Sequence, residues 1–420
     1  MTGRERIRKA LAHEEGPLAV DFSGTATTGI HVSVVAALRN HYGLEEKPVR
    51  VWDPYQMLGE VDDDLAAIMH SDTLKVGARK TMFGFENRGW REWRTPWGQE
   101  VQVPEGFQVD PDDDGSLVIY PAGDRGAPPS GRMPQGGYFF DSIVRQEAID
   151  EDSLNADDNL QEYGPATDDD VAYFRYEARR VEERRESGDN RAAVFTFGGM
   201  ALGDISEIPA PYAPHPKGIR DVTEWYVSTV ARKGFVREIF DRQSEAAVEN
   251  LKRYRDATGD TPDVVFVCGT DFGTQSSQFC SAETFEDLWA PYYRRINGWI
   301  HENTNWKTFK HCCGSIVPLM ESFIDCGFDI LNPVQTTAVN MDPEMLKREF
   351  GDRVVFWGGG VDTQKTLPFG TPAEVRDNVR RSIETLGRGG GFVFNTIHNV
   401  QAKTPVENVV AMIDIVGEYR

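Results

Sequence analysis

Short apolar, β-branched or aromatic runs recur along the chain, with stretches of helical period between most of them. Eight stand out: Leu18–Phe22, Thr73–Val76, Ala193–Phe197, Val264–Cys268, Lys307–His311, Phe328–Asn332, Arg353–Trp357 and Gly391–Asn395. Strands alternating with helices predict βαβ units on a parallel sheet, and eight such units are the number that closes an α/β (β/α)8 TIM barrel. An open, doubly wound sheet is the structural competitor. Helix starts are well marked late in the chain. Thr371-Pro372-Ala373-Glu374 combines a cap, a first-turn Pro and a Glu at capping-box spacing, and Val375, Val379 and Ile383 follow at helical period. Thr404-Pro405-Val406-Glu407 repeats that pattern, and Asp342-Pro343 predicts a further start.

Residues 80–145 break the alternation. WREWRTPWGQEVQV and GSLVIYPAG alternate like hairpin strands, separated by Pro, Gly and the run Asp112-Asp113-Asp114-Gly115. They predict a β-rich insertion after the second strand of one barrel domain spanning residues 1–420. Trp90, Trp93 and Trp97 are expected to pack this hairpin rather than to wall a pocket. Glu147–Asp170 is acidic and reads as a solvated helix and loop, with Asp168-Asp169-Asp170 a helix cap rather than a metal site. The opening MTGRERIRKALAHEEG reads as a charged amphipathic helix, not a leader peptide. No stretch approaches the roughly 20 apolar residues of a membrane span.

Composition narrows the function. Forty per cent of the 420 residues are hydrophobic and 27% charged, enough for a sizeable core. The formal charge of −22 repels phosphate backbones and anionic membranes, which argues against nucleic acid as a partner. Five Cys is odd in number and too few for a disulfide framework, so a reducing, cytoplasmic setting is expected. Asp271-Phe272-Gly273 spells a kinase triplet without the kinase's other motifs. Gly358-Gly359-Gly360 and Gly389-Gly390-Gly391 lack the Lys-Ser/Thr of a phosphate loop.

The candidate chemistry gathers at predicted strand ends. Lys310-His311-Cys312-Cys313-Gly314 closes the fifth strand, and imidazole and thiolate are the preferred ligands of zinc. His398 follows the eighth strand. Asp271 and Gln275 follow the fourth, Asn332 and Gln335 the sixth, and Asp362 the seventh. In a barrel all of these lie at the carboxyl-end rim, where barrel active sites sit. A buried, inert His and Cys is the plain alternative.

These residues carry a resemblance. DFGTQSSQFCSAETFEDLWAPYYRRI, HCCGSIVPLMESFIDCGFDILNPVQ, LKREFGDRVVFWGGGVDTQKTLPFGTPAEV and GGGFVFNTIHNVQAKTPVENVVAMIDIV, with RERIRKAL and VDF near the start, resemble the uroporphyrinogen-decarboxylase-like superfamily, in its cobalamin-dependent methyltransferase branch. The resemblance implies a (β/α)8 barrel and a zinc ion held by a His-x-Cys pair and a later Cys. His311 and Cys313 match the pair. The third position falls on His398, a departure, since His replaces the family's Cys. A fourth ligand is left open between Gln335, Asp271 and water, and Cys312 competes with Cys313 for the pocket. The implied activity is zinc-dependent methyl transfer between a corrinoid (cobalamin) on a partner protein and a small O-, S- or N-methyl compound. Asp271 is the candidate proton carrier. Gln275, Asn332 and Asp362 are candidate cofactor-binding residues. A homodimer is also implied. A metal-free decarboxylase-like lyase and a non-catalytic corrinoid- or tetrapyrrole-binding protein are the rivals. The decarboxylase's arginine-rich N-terminal signature, which grips porphyrinogen carboxylates, is absent here.

Overall fold

The computed structural model describes residues 1–160 and 163–420. Its eight-stranded parallel sheet comprises β1 (Ala19–Val20), β2 (Thr73–Val76), β3 (Ala192–Phe195), β4 (Val264–Cys268), β5 (Lys307–His311), β6 (Ile330–Asn332), β7 (Val355–Trp357) and β8 (Phe392–Phe394). Neighbours pair in order from β2 through β8 and back to β1. The β1–β2 seam has no regular ladder. It closes through Asp72, whose N–H donates to Val20 O at 2.8 Å while its carboxylate accepts from Val20 N at 3.0 Å. The result is a nearly closed (β/α)8 barrel. All eight expected strands are present, most of them shorter than the apolar runs that mark them.

Strand alternation sorts the side chains into two layers. Ala19, Ala192, Val194, Val264, Phe309, Ile330, Val355, Trp357 and Val393 fill the lumen. Ile7 and Ala10 of the helix Gly3–Leu11 join this cluster and plug the amino-end of the barrel. That helix is held by charge as well. Arg6 lies on Asp72 at 2.7 Å, and Arg4 and Arg8 lie on Asp263 at 2.9 and 3.0 Å. Side chains of the opposite parity meet the helices in a larger outer core.

The helix starts follow their caps where the cap is local. Thr371 and Glu374 form the expected capping box, and Asp342 accepts from Met345 N at 2.8 Å. Asp168–Asp170 form the first turn of the helix Asp168–Glu186, with Asp170 completing a capping box to Thr167. The acidic segment before it holds two short helical turns, Glu151–Ser153 and Ala156–Asn159, while positions 161–162 lie outside the described residues. Thr404 is a correction. Its hydroxyl donates to Gln401 O at 2.8 Å, and the last helix, Val406–Glu418, starts without a side-chain cap.

The extra β structure also differs from expectation. One four-stranded sheet, Val109–Pro111, Leu117–Ile119, Gly131–Met133 and Asp141–Ser142, lies within the expected insertion. The other joins Arg91–Arg94 and Glu100–Val103 to Val49–Asp53 and Leu58–Gly59, which precede β2. Trp93 packs on Phe107 with centroids 5.0 Å apart, and Trp97 stacks on Tyr138 at 4.9 Å. Trp90 lies under the Arg50 guanidinium. The tryptophans therefore pack the hairpins.

Candidate functional site

The lumen turns polar toward the carboxyl ends of the strands. Asp21, two residues beyond inward-facing Ala19, is fully buried. It accepts from Thr73 Oγ1 at 2.6 Å, Gly24 N at 2.9 Å and Trp357 Nε1 at 2.9 Å. Burial pushes its carboxyl above the ordinary range. Above this layer sit His311 and Asn332. They are ladder partners on β5 and β6, each two residues past an inward apolar side chain, so the register sets them side by side.

His311 Nδ1 lies 2.6 Å from Asn332 Oδ1. The amide orientation is set independently, because Asn332 Nδ2 donates to Trp357 O at 2.8 Å. The facing atom is therefore an acceptor, His311 carries its proton on Nδ1, and Nε2 is left as a lone pair. That lone pair faces Cys313 Sγ at 3.3 Å. Cys312, of opposite parity, points into the outer core and accepts from Phe272 N at 3.2 Å. Cys313 lies past the strand end and turns back toward the lumen. Gly314 permits this turn. Its φ is +90°, and a Cβ there would sit 2.5 Å from the Gly273 backbone.

His398, on the loop after β8, completes the group. Ligand atoms of His311, Cys313 and His398 all lie within 4.8 Å of one another. The two imidazoles meet edge to face, with centroids 5.3 Å apart. Burial lowers both to about 4, so they are neutral at physiological pH, as metal ligands must be. Burial and the neighbouring Asp271 push the Cys313 thiol up. The donor set suits a borderline-soft divalent ion such as zinc. His311 meets the further requirement that a ligating imidazole donate its other N–H. His398 Nδ1 instead accepts from Asn399 N at 2.8 Å, so ligation through Nε2 would move the ring proton to Nδ1 and break that contact.

Asp271 lies beside the group. Its Oδ1 accepts from Cys313 N at 2.6 Å and stands 4.0 Å from His311 Nε2, and burial raises its pKa. Gln335 and Gln275 act as struts. Gln335 Oε1 accepts from Gly314 N at 2.7 Å, Gln335 Nε2 donates to Gln275 Oε1 at 3.0 Å, and Gln275 Nε2 donates to Thr337 O at 2.6 Å. Neither amide is aimed freely at the His and Cys atoms. Asp362 lies in the turn after β7. Its carboxylate accepts from Gln364 and Lys365 N within its own turn. Asn332 serves as the anchor of His311.

Sequence reasoning missed Asp204 and Thr27. Asp204 is buried, with its pKa raised by desolvation and by Asp271 as a neighbouring charge. Thr27 Oγ1 donates to Asn332 Oδ1 at 3.2 Å. Asp204-Ile205-Ser206 and the Thr-rich run Thr25-Ala26-Thr27-Thr28 look like ordinary turns in the sequence. Only the tertiary approach gives them meaning.

Residues 212–419 match the family model described as uroporphyrinogen decarboxylase (URO-D). That segment is a URO-D-family domain. It contains β4 to β8 and the whole His311, Cys313, His398 group. Among curated proteins, the uroporphyrinogen decarboxylase of Methylococcus capsulatus is 33% identical over 100 residues, 24% of this chain and 27% of that protein. The enzyme of the same name from Psychromonas ingrahamii is 30% identical over 99 residues, 24% of this chain and 26% of that protein. The chain thus spans about a quarter of the length of these relatives. A solved structure, a methyltransferase from Methanosarcina mazei, superposes over 100% of this chain and 99% of its own, with a TM-score of 0.53 and 15% identity. At that identity the likeness is one of fold, and it runs over the whole chain. Among the described residues no helix is long and apolar enough to cross a membrane.

Proposed function

We propose that this chain is a zinc-dependent methyltransferase that moves a methyl group between a corrinoid on a partner protein and a small O-, S- or N-methyl compound. The observation that carries the proposal is the convergence of His311, Cys313 and His398 within 4.8 Å at the carboxyl-end mouth. Zinc bound there supplies Lewis acidity that lowers the pKa of an accepting heteroatom or stabilises a departing one.

The chain's own residues prepare that chemistry. Asn332 holds His311 with its Nε2 lone pair toward Cys313. Cys313 would hold the metal as its thiolate. Asp271, its carboxyl pushed up by burial and its Oδ1 4.0 Å from His311 Nε2, is placed to hold a proton beside the group. The Gln275–Gln335 strut fixes the Cys313-Gly314 turn. Phe279, Val339 and Phe369, on the segments after β4, β6 and β7, keep 42%, 48% and 84% of their surface exposed. Exposed apolar side chains at the carboxyl-end loops suit the docking of a partner that presents a corrinoid face. The superposable structure is that of a methyltransferase, in agreement with this reading.

The names of the sequence relatives favour a second reading, a decarboxylase. One assay pair separates the two. The zinc-loaded chain is expected to demethylate methylcobalamin with a thiol acceptor or to methylate cob(I)alamin from a methoxy or methylamine donor, with loss of activity in Cys313→Ala. Conversion of uroporphyrinogen to coproporphyrinogen by metal-free protein, with no methyl transfer in either direction, would overturn the proposal.

A further inference from the structure

The two imidazoles of the group come from β5 and from the loop after β8, yet one short loop braces both. Residues 24–29 follow β1. On one side Thr27 Oγ1 donates to Asn332 Oδ1 at 3.2 Å, the same oxygen that accepts from His311 Nδ1 at 2.6 Å. On the other side Asn399 grips the loop twice. Its Oδ1 accepts from Gly29 N at 2.6 Å, and its Nδ2 donates to Ala26 O at 2.8 Å. The backbone N–H of the same Asn399 donates to His398 Nδ1 at 2.8 Å. The loop is itself tied down. Gln56 Nε2 donates to Ala26 O at 2.9 Å, and Thr25 and Thr27 share a hydroxyl contact of 2.9 Å.

We infer that the 24–29 loop is the scaffold that sets the orientation of the His311 imidazole, and that Thr27 is a positioning residue for His311, acting through Asn332. The inference rests on the reading of His311, Cys313 and His398 as a metal centre. Its physical basis is simple. An amide oxygen that accepts from two donors is confined about its Cβ–Cγ bond more tightly than one that accepts from a single donor. Asn332 so confined holds the His311 ring in one plane and one tautomer, so its Nε2 lone pair points at a fixed place. Outer hydrogen bonds of this kind change metal affinity by about 10- to 100-fold when removed.

The test uses the full chain and two readouts. Zinc affinity is measured by competition with a chromophoric chelator for wild type, Thr27→Val, Thr27→Ser, Asn332→Ala and the Thr27→Val/Asn332→Ala double variant. Thr27→Val is expected to lose about 10-fold in affinity, the lower end of that range. Thr27→Ser should stay within about twofold of wild type, and Thr27→Val should cost nothing further in the Asn332→Ala background. In metal-free protein, 15N NMR of the imidazoles is expected to show a single Nδ1–H form of His311 in wild type and a mixture in Thr27→Val. Wild-type affinity and an unchanged His311 tautomer in Thr27→Val would overturn the inference. Wild type that binds no zinc would instead remove the metal reading, and the metal-free spectra would still decide whether Thr27 orients His311.

Discussion

Arg420, the last residue, places its Nη2 2.8 Å from Asp72 Oδ1 at the amino-end of the barrel. Asp72 also receives Arg6 from the plugging helix and caps Val20 N at the one seam without a regular strand ladder. Arg6, Arg420 and the seam without a regular ladder therefore meet on one buried carboxylate. Asp72→Ala would strand two guanidinium groups and an N–H, and breaking a buried pair of this kind costs about 3–5 kcal/mol. Arg420→Ala leaves Arg6 in place and is expected to cost about 1–2 kcal/mol, near the value of a charged hydrogen bond. Urea unfolding of both variants checks the order. Equal, small losses would show that the seam is held by packing alone.

The adjacent cysteines should behave oppositely. Cys312 is in the outer core and Cys313 faces the imidazoles, so Cys313→Ser is expected to lose zinc with little loss of stability. Cys312→Ser should keep zinc. Its shorter hydroxyl must replace the thiol that accepts from Phe272 N in a largely apolar setting, and stability should fall by about 1–3 kcal/mol. Metal analysis together with thermal unfolding of both variants tests this, and retention of zinc by Cys313→Ser alone would reverse the assignment.

His31 supplies a pH dependence away from the site. It is buried, its Nε2 lies 2.9 Å from Tyr138 O, and desolvation lowers its pKa to about 4. In the unfolded chain the ring takes a proton near pH 6.5, while in the folded chain it stays neutral. The unfolded state therefore binds the extra proton as pH falls from 6.5 toward 4, and stability drops across that window. A shift of this size corresponds to at most about 3 kcal/mol. Urea midpoints of wild type and His31→Gln between pH 7 and pH 5 should converge as pH falls. Parallel curves would refute the assignment.

Much of the barrel was legible because its signals are local. Most strands are short apolar runs between helical stretches, and the Thr371 and Asp342 caps lie within four residues of the helices they start. What escaped was set by partners distant in sequence. The strands at Val49–Asp53 and Leu58–Gly59 join a sheet whose other members follow β2, and no local pattern announces that pairing. Thr404 carries the letters of a cap but spends its hydroxyl on Gln401. At the site, residue type at strand ends points to His311, Cys313 and His398, and the fold brings the three side chains together. Residue type does not point to Thr27 or Asp204, since their importance depends on a neighbour 305 residues away in one case and on burial in the other.

Elemental analysis of protein purified without chelator tests the central claim most directly. About one zinc per chain, lost in both Cys313→Ala and His398→Ala while the fold is retained, is the predicted result. Wild-type protein that is folded yet takes up no zinc when the metal is supplied, or variants that keep a full equivalent, would contradict a metal centre built from these side chains.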